Sequence, residues 1–273
     1  MNHFSTQYFI RAFAKTDKGN LRANNEDKFT IFTVPPQLEK QQEEIAQPLP
    51  PKGCVFVVAD GLGGAKAGEI ASEIAAESIL HQFQELIFLP EDEEEMNCLL
   101  KNIIMHAHEE IVAYADMHKQ LKGMGTTIVL VWLLEDKLYV AWCGDSRCYL
   151  IQNEGSMTLL TEDHSKVWEL VKKGLLVPED ARKHPQSHII TQALGDKKLP
   201  PQSSFKTIPL ANYNKILLCS DGLNTMLADT AIAQIFADKN KEISETAQLL
   251  VDKANEAGGL DNITVVLAEV TLA

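Results

Sequence analysis

No stretch of this 273-residue chain is rich in lysine or arginine: 25 basic residues stand against 38 acidic ones, a formal charge of -13. A polyanion is bound through a basic stripe or cluster, so nucleic acid is excluded as a general partner. Long apolar runs are missing too. The longest aliphatic run, Ile128 to Leu134, is far short of the ~20 residues of a membrane-spanning helix. The N-terminal MNHFSTQYFIRAF lacks the apolar centre of a signal peptide. The five cysteines are odd in number and include no Cys-x-x-Cys pair, which leaves no disulfide framework. Cys54, Cys143 and Cys219 sit in apolar runs and read as buried free thiols. The expectation is a cytoplasmic monomer with no membrane contact.

Internal repeats and linkers are absent as well, and an apolar fraction of 45% is enough for a chain of this length to bury a large core. One domain over residues 1–273 is expected. Strand-like runs cover Tyr8 to Ala14, Asp27 to Val34, VFVVA, TTIVLVWLL, KLYVAWC, RCYLIQ, MTLLT, SFKTIPL, KILLCS and NITVVLAEV. Ile70, Ile74, Ser78, Phe83 and Ile87 trace one helical face, and Met96, Leu99, Ile103, Ala107, Ile111 and Tyr114 trace a second. Further helices are expected over WELVKKG, PEDARK, Thr230 to Phe236 and Ser244 to Ala257. The acidic EDEEE from Glu91 reads as a solvated helix start. Residues 35–53, rich in Pro, Gln and Glu, read as a long exposed loop. Strands grouped by hairpins and helices grouped in pairs are the α+β pattern.

Chemistry concentrates where apolar strands end. In VFVVADGLGG, Asp60 closes a strand and three glycines follow within four residues. A dinucleotide loop would need glycine at the position of Lys66, and a Walker loop would need Gly-Lys-Ser/Thr. An aspartyl-phosphate enzyme would need a second aspartate where Leu62 stands, and no cysteine begins a C-x5-R loop. Asp221 follows ILLCS, Asp145 follows YVAWCG, Asp27 closes NNED, and Asp261 precedes the apolar strand after EAGGL. Any one of these reads as a turn residue. Five at strand ends can converge, and converging carboxylates repel by about 1 kcal/mol per pair at 4 Å in water and about 4 kcal/mol at an effective dielectric of 20. Hard divalent cations such as Mg²⁺ or Mn²⁺ offset such repulsion with oxygen-only ligands. The scarcity of His and Cys pairs argues against zinc, and His106 and His108 point about 200° apart on a helix.

The motifs RANNED (Arg22 to Asp27), VVADGLGG, AGE (Ala67 to Glu69), MGTT (Met124 to Thr127), GDSR (Gly144 to Arg147), DHS (Asp163 to Ser165), ITQALGD, CSDGL and GGLDNIT occur in this order. Together they resemble the metal-dependent PPM, or PP2C-like, serine/threonine phosphatases of the compact bacterial type. The resemblance spans nearly the whole chain. It implies a four-layer αββα sandwich with two central antiparallel sheets and a site for two Mn²⁺ or Mg²⁺ ions. It further implies that Asp60 bridges the metals, that the Gly61 carbonyl binds one of them, and that Asp221 and Asp261 bind the other. Glu26, Asp27 and Asn262 would stand one step behind, holding metal-bound water. Asp145 would bind a third ion, and Arg22 the substrate phosphate. Residues 165–190 correspond to a flap beside the site.

The reaction implied is hydrolysis of phosphoserine and phosphothreonine by a hydroxide bridging the two metals. The implied partners are phosphoproteins, the targets of a cognate Ser/Thr kinase. Leu62 replaces a histidine that some relatives carry, and Ser187 and His188 replace an Arg-Asn pair. Gly125, Gly144 and Gly222 are expected as turn glycines, Arg147 as part of an ion pair and His164 as a hydrogen-bonded residue. The alternative is a catalytically weak module that binds phosphoproteins through the same fold; lost ligands would mark it, and every ligand position is filled.

Overall fold

The computed structural model describes residues 8–36, 42–152, 155–182, 184–210, 215–238 and 241–272. The first half runs through β1 (Tyr8–Asp17), β2 (Lys28–Thr33), β3 (Glu44–Pro48), β4 (Cys54–Ala59), β5 (Gly61–Leu62), α1 (Ala65–Gln84) and α2 (Glu93–Met117). A run of strands follows: β6 (Gly125–Thr126), β7 (Ile128–Leu134), β8 (Lys137–Cys143), β9 (Arg147–Ile151) and β10 (Met157–Leu159). Then come α3 (Lys166–Lys172), α4 (Pro178–Ala181), β11 (Ser204–Pro209), β12 (Lys215–Cys219), α5 (Asp221–Met226), α6 (Asp229–Ile235), α7 (Ile243–Glu256) and β13 (Ile263–Leu272).

Two antiparallel sheets result, one ordered β10-β9-β12-β13-β1-β3 and the other β11-β8-β7-β4-β2, with β5 and β6 as a small third pair. Strand side chains alternate between the two faces, and both faces of the central strands are apolar. In β4, Phe56 and Val58 point into the core between the sheets, while Val55, Val57 and Ala59 point toward α1 and α2. In β13, Val266, Ala268 and Val270 face the other sheet, while Val265 and Leu267 face α7. Three apolar layers therefore separate four structural layers, the αββα sandwich that the resemblance implied. On the outer face of β7, Trp132 meets Phe83 of α1 edge-on at 4.9 Å and donates its indole N–H to Lys52 O.

Helix ends follow their capping chemistry. Asp92 caps α2 by accepting from the Glu95 amide, and Glu93, Glu94 and Glu95 occupy its first turn, where carboxylates favour the positive end of the helix dipole. Residues 42–53 within the expected loop depart from expectation. Strand β3 pairs with β1 from Phe9↔Pro48 to Phe13↔Glu44 and buries Ile45. Pairing to an open sheet edge satisfies the backbone whatever the composition, and the Gln and Glu side chains disguised the strand. Residues 37–41 of that segment lie outside the described residues. Ile87 falls beyond the end of α1 and is 73% exposed; on α2, Leu100 rather than Leu99 is fully buried. Among the described residues, no helix is long and apolar enough to cross a membrane.

Candidate metal and phosphate site

One end of the sandwich collects the carboxylates. Asp60 follows β4, Asp145 follows β8, Asp221 opens α5 after β12, and Asp27 and Asp261 precede β2 and β13. In antiparallel sheets, the ends of β4, β8 and β12 and the starts of β2 and β13 share an edge. All five predicted aspartates are brought together there.

Asp60 has the firmest seat. Its amide donates to Thr127 Oγ1 at 3.1 Å, and its carbonyl accepts from the Thr127 amide and from Thr126 Oγ1, each at 2.8 Å. Thr127 Oγ1 lies 2.8 Å from Ser146 Oγ, so MGTT and GDSR brace the carboxylate that follows β4. These hydroxyls were missed as site residues, although the motifs containing them were visible. Glycine is required on either side of the seat. A Cβ on Gly61 would lie 2.3 Å from Gly68 O, and one on Gly222 would lie 1.9 Å from Asn262 O. Of the three expected turn glycines, Gly144 has φ +118°, while Gly125 and Gly222 serve close backbone approach instead.

The site is electrostatically strained. Asp27 is 3% exposed, and burial, with Asp221 and Asp261 nearby, pushes its carboxyl up to about 7 against the favourable hydroxyls of Thr264 and Ser220. Burial and the Asp261 charge push Asp221 up to about 6. Asp60 and Asp145 are held well above the usual carboxylate range, again by burial first and neighbouring aspartates second. Asp27 Oδ2 accepts from Ser220 Oγ at 2.7 Å, but its Oδ1 is buried without a hydrogen-bond partner among the described residues.

Arg22 donates to Asp261 Oδ2 at 2.6 Å across the rim. Asn262 ties the loop together: its amide donates to Asp261 Oδ1, its side-chain oxygen accepts from the Glu26 amide, and its side-chain NH₂ donates to Lys18 O and Asn24 O. Burial raises the Glu26 carboxyl as well. Among the described residues, no three His, Cys, Asp or Glu side chains close tightly enough on one point to hold an ion; one carboxylate of the trio Asp60, Asp221 and Asp261 is turned to Arg22. The residues nevertheless fit a hard cation. The donors are all oxygens, the raised Asp27, Asp60, Asp145 and Asp221 carboxyls repel one another in a way a cation would relieve, and an orphaned carboxylate oxygen stands behind them.

Beside the carboxylates lies a cavity of about 140 Å³, lined by Asp145, Arg147, Asp163, Asp221 and Asp261 together with residues of the 165–190 segment, Ser187 and His188 among them. Arg147 forms the expected ion pair, forking onto Asp163 at 2.8 and 2.7 Å and donating to the Tyr149 hydroxyl. His164 is hydrogen-bonded as expected, accepting from the Gly144 amide and facing Ser204 Oγ. The cysteines stand apart from this chemistry: burial pushes Cys54 and Cys143 up to about 12, so neither is a thiolate at neutral pH.

Against known proteins, a family profile described as Protein phosphatase 2C matches residues 42–255. This chain belongs to the protein phosphatase 2C family. The serine/threonine phosphatase stp of Listeria monocytogenes is 38% identical over 260 residues, covering 95% of this chain and 96% of that one. The Streptococcus agalactiae serine/threonine phosphatase structure superposes with a TM-score of 0.82 at 33% identity, covering 97% of this chain and all of the other. The catalytic domain of the serine/threonine protein phosphatase PstP, solved in complex with two manganese ions, matches with a TM-score of 0.76 at 29% identity over 97% of this chain and 99% of that one. As a PP2C-type protein, the chain is a metal-dependent protein-serine/threonine phosphatase.

Proposed function

We propose that the cluster at the sandwich end is the catalytic centre, acting on phosphoserine and phosphothreonine in protein substrates, with a single catalytic domain formed by the whole chain. The observation that carries this is the convergence of four aspartates at the strand ends, Asp27 and Asp145 buried and Asp60 and Asp221 half-buried, in mutual repulsion. Asp60 and the Gly61 carbonyl, with Asp221 and Asp261, would hold two Mn²⁺ or Mg²⁺ ions, and Asp145 a third. Such ions supply a hydroxide near neutral pH for in-line attack on phosphorus, together with neutralisation of the phosphoryl oxygens. The chain's own groups do the rest. Thr126, Thr127 and Ser146 fix the direction of Asp60. Asn262 sets the height of the Arg22 loop, and Glu26 and Asp27 offer carboxylate oxygens to ordered water.

Arg22 is half-exposed at the rim, where its planar fork suits two phosphoryl oxygens at once. On this reading, Arg22 would leave Asp261 for the substrate phosphate, and Asp261 would then be free to help hold a cation. Leu62, whose neighbour across β5–β6 is Gly125, offers no proton to the leaving alkoxide, so protonation falls to water. The natural substrates are the products of a Ser/Thr kinase, encountered by a soluble monomer in the cytoplasm. The test is Mn²⁺- or Mg²⁺-dependent phosphate release from a phosphothreonine peptide. Asp60→Asn should lower kcat at least ~1000-fold and remove the Mn²⁺-induced rise in Tm; retention of full activity by the metal-restored variant would overturn the mechanism.

A further inference from the structure

The seat of Asp60 is fastened to α2 through a histidine. His108, the second histidine of HAH on α2, turns inward and is 5% exposed. Its Nδ1 accepts from the Gly195 amide at 3.0 Å. That nitrogen is therefore bare, and the neutral ring carries its proton on Nε2. His106 turns the other way and meets Ser78 and Glu110. One residue before Gly195, Leu194 forms a two-way bridge with Thr126: the Thr126 amide donates to Leu194 O at 3.1 Å, and the Leu194 amide donates to Thr126 O at 2.9 Å. The Thr126 hydroxyl in turn donates to Asp60 O at 2.8 Å. Three joints in series run from the middle of α2 to the carboxylate that follows β4.

The series has little slack. Gly195 has φ +100°, and a Cβ there would lie 2.5 Å from Met124 O and 2.9 Å from the Ile111 side chain. A Cβ on Gly125 would lie 2.7 Å from Leu194 O. Leu194, Thr126 and Ile111 are fully buried. With its N–H aimed at a buried ring rather than at water, Gly195 depends on the acceptor that His108 supplies. The charges facing that ring are Glu109 on its own helix and Asp196 on the turn, and Lys197 of the same turn is paired with Asp116. Burial holds the imidazole below the usual histidine range, outweighing the two carboxylates that favour its cation.

Resting on the phosphatase reading above, we propose that His108 is a positioning residue for the reaction: its Nδ1 anchors the Leu194–Gly195 corner, and the corner holds Thr126 where its hydroxyl directs Asp60. His108 acts only through these joints. Its own joint is the one that acid opens. A proton on Nδ1 turns the acceptor into a donor facing the Gly195 N–H, and the two repel. The corner then loosens, and Thr126 with it. An asparagine in its place would set an oxygen close to where Nδ1 stands and take no proton, keeping the anchor and losing the acid response. A small misplacement of Asp60 is enough to cost about tenfold in rate, and the cost falls on kcat because the joints lie away from bound peptide.

The experiment compares the unaltered protein with His108→Leu and His108→Asn in Mn²⁺-dependent phosphate release from a phosphothreonine peptide between pH 5 and pH 8. At pH 8, His108→Leu should lower kcat about tenfold, and His108→Asn should recover most of that loss. The kcat of the unaltered protein divided by that of His108→Asn should fall about threefold or more from pH 8 to pH 5; acid effects elsewhere in the site are common to both proteins and cancel. Hydrogen exchange at the Leu194 and Gly195 amides of metal-free protein gives a readout apart from activity. Divided by the His108→Asn rate at the same pH, it should rise by a similar factor as pH falls. A ratio flat with pH in either measurement, or full kcat in His108→Leu, would overturn the proposal while leaving the phosphatase reading intact. Both ratios use only His108→Asn, so they decide the matter even where His108→Leu does not fold. Absence of Mn²⁺-dependent release from the unaltered protein at every pH would overturn the phosphatase reading and the proposal with it.

Discussion

Asp60 and the 165–190 segment are held in opposite ways. At Asp60, both backbone polar groups are tied by Thr126 and Thr127 to β6 and β7, and a further hydroxyl contact runs to Ser146. The 165–190 segment closes on itself instead. Ser165 bridges Ile190, and the Thr191 and Lys166 amides donate to His164 O and Ile189 O at its neck. At its far end, Arg182 reaches Thr225 O and Met226 O of α5 with longer bonds of 3.3 and 3.2 Å. A charge-bearing group must be placed within a fraction of an ångström to be useful, and the sheet end provides that. A segment held by a neck and a few long bonds opens more readily than a sheet end.

The contrast can be broken first by protonation. Asp27 and Asp221 have folded-state values of about 7 and about 6 against 3.8 for the free carboxyl. The folded state therefore binds more protons than the unfolded chain. The stability from this excess is complete below pH ~4 and is lost as pH rises through 6 to 7. Metal-stripped protein should be less stable at pH 8 than at pH 5 by on the order of a few kcal/mol, at ~1.4 kcal/mol per unit, and so melt lower, and Mn²⁺ at pH 8 should restore the loss. A thermal melt series with and without chelator checks this.

Next in size is Thr127→Val, which keeps the shape but leaves the Asp60 amide and the Ser146 hydroxyl without their partner. A loss of ~1–3 kcal/mol in urea melts is expected, with kcat reduced about tenfold and KM for phosphopeptide little changed. Smallest is Arg182→Ala. It should change stability by less than ~1 kcal/mol and leave the Mn²⁺ response alone, while raising KM for phosphopeptides about twofold to fivefold; single-turnover and steady-state kinetics separate the two effects. If Arg182→Ala lowered kcat as much as Thr127→Val, the division between a rigid seat and a more loosely held segment would fail.

The sequence made the aspartates legible because each stands where an apolar run stops and a turn residue begins, a signal contained within about ten residues. The αββα layering was legible through the resemblance, since local periodicity gives strands and helices without their stacking. What stayed hidden depends on pairs far apart in the chain. Thr126 and Thr127 meet Asp60 across more than sixty residues, and Ser220 meets Asp27 across 193. Nothing in the neighbourhood of either threonine or of the serine announces its partner. Gly125 and Gly222 looked like turn glycines for the same reason: the carbonyls that crowd them come from Leu194 and Asn262. Strand β3 was lost to composition, because an edge strand with one inward isoleucine has too little alternation to stand out from the Gln and Glu around it.

Strand β13 pairs with β1 along ten positions, from Tyr8↔Leu272 to Asp17↔Ile263, and with β12 on its other side. It is an interior strand of its sheet, yet it follows every other described element in the chain. Until it arrives, β1 has an unfilled edge and the sandwich lacks its middle, and long-range pairing of this kind is slow to form. The same segment carries Asp261 and Asn262, which tie down Arg22 and Glu26. Completion of this sheet and completion of the site are therefore one event, because the strand that fills the gap beside β1 brings Asp261 and Asn262 with it.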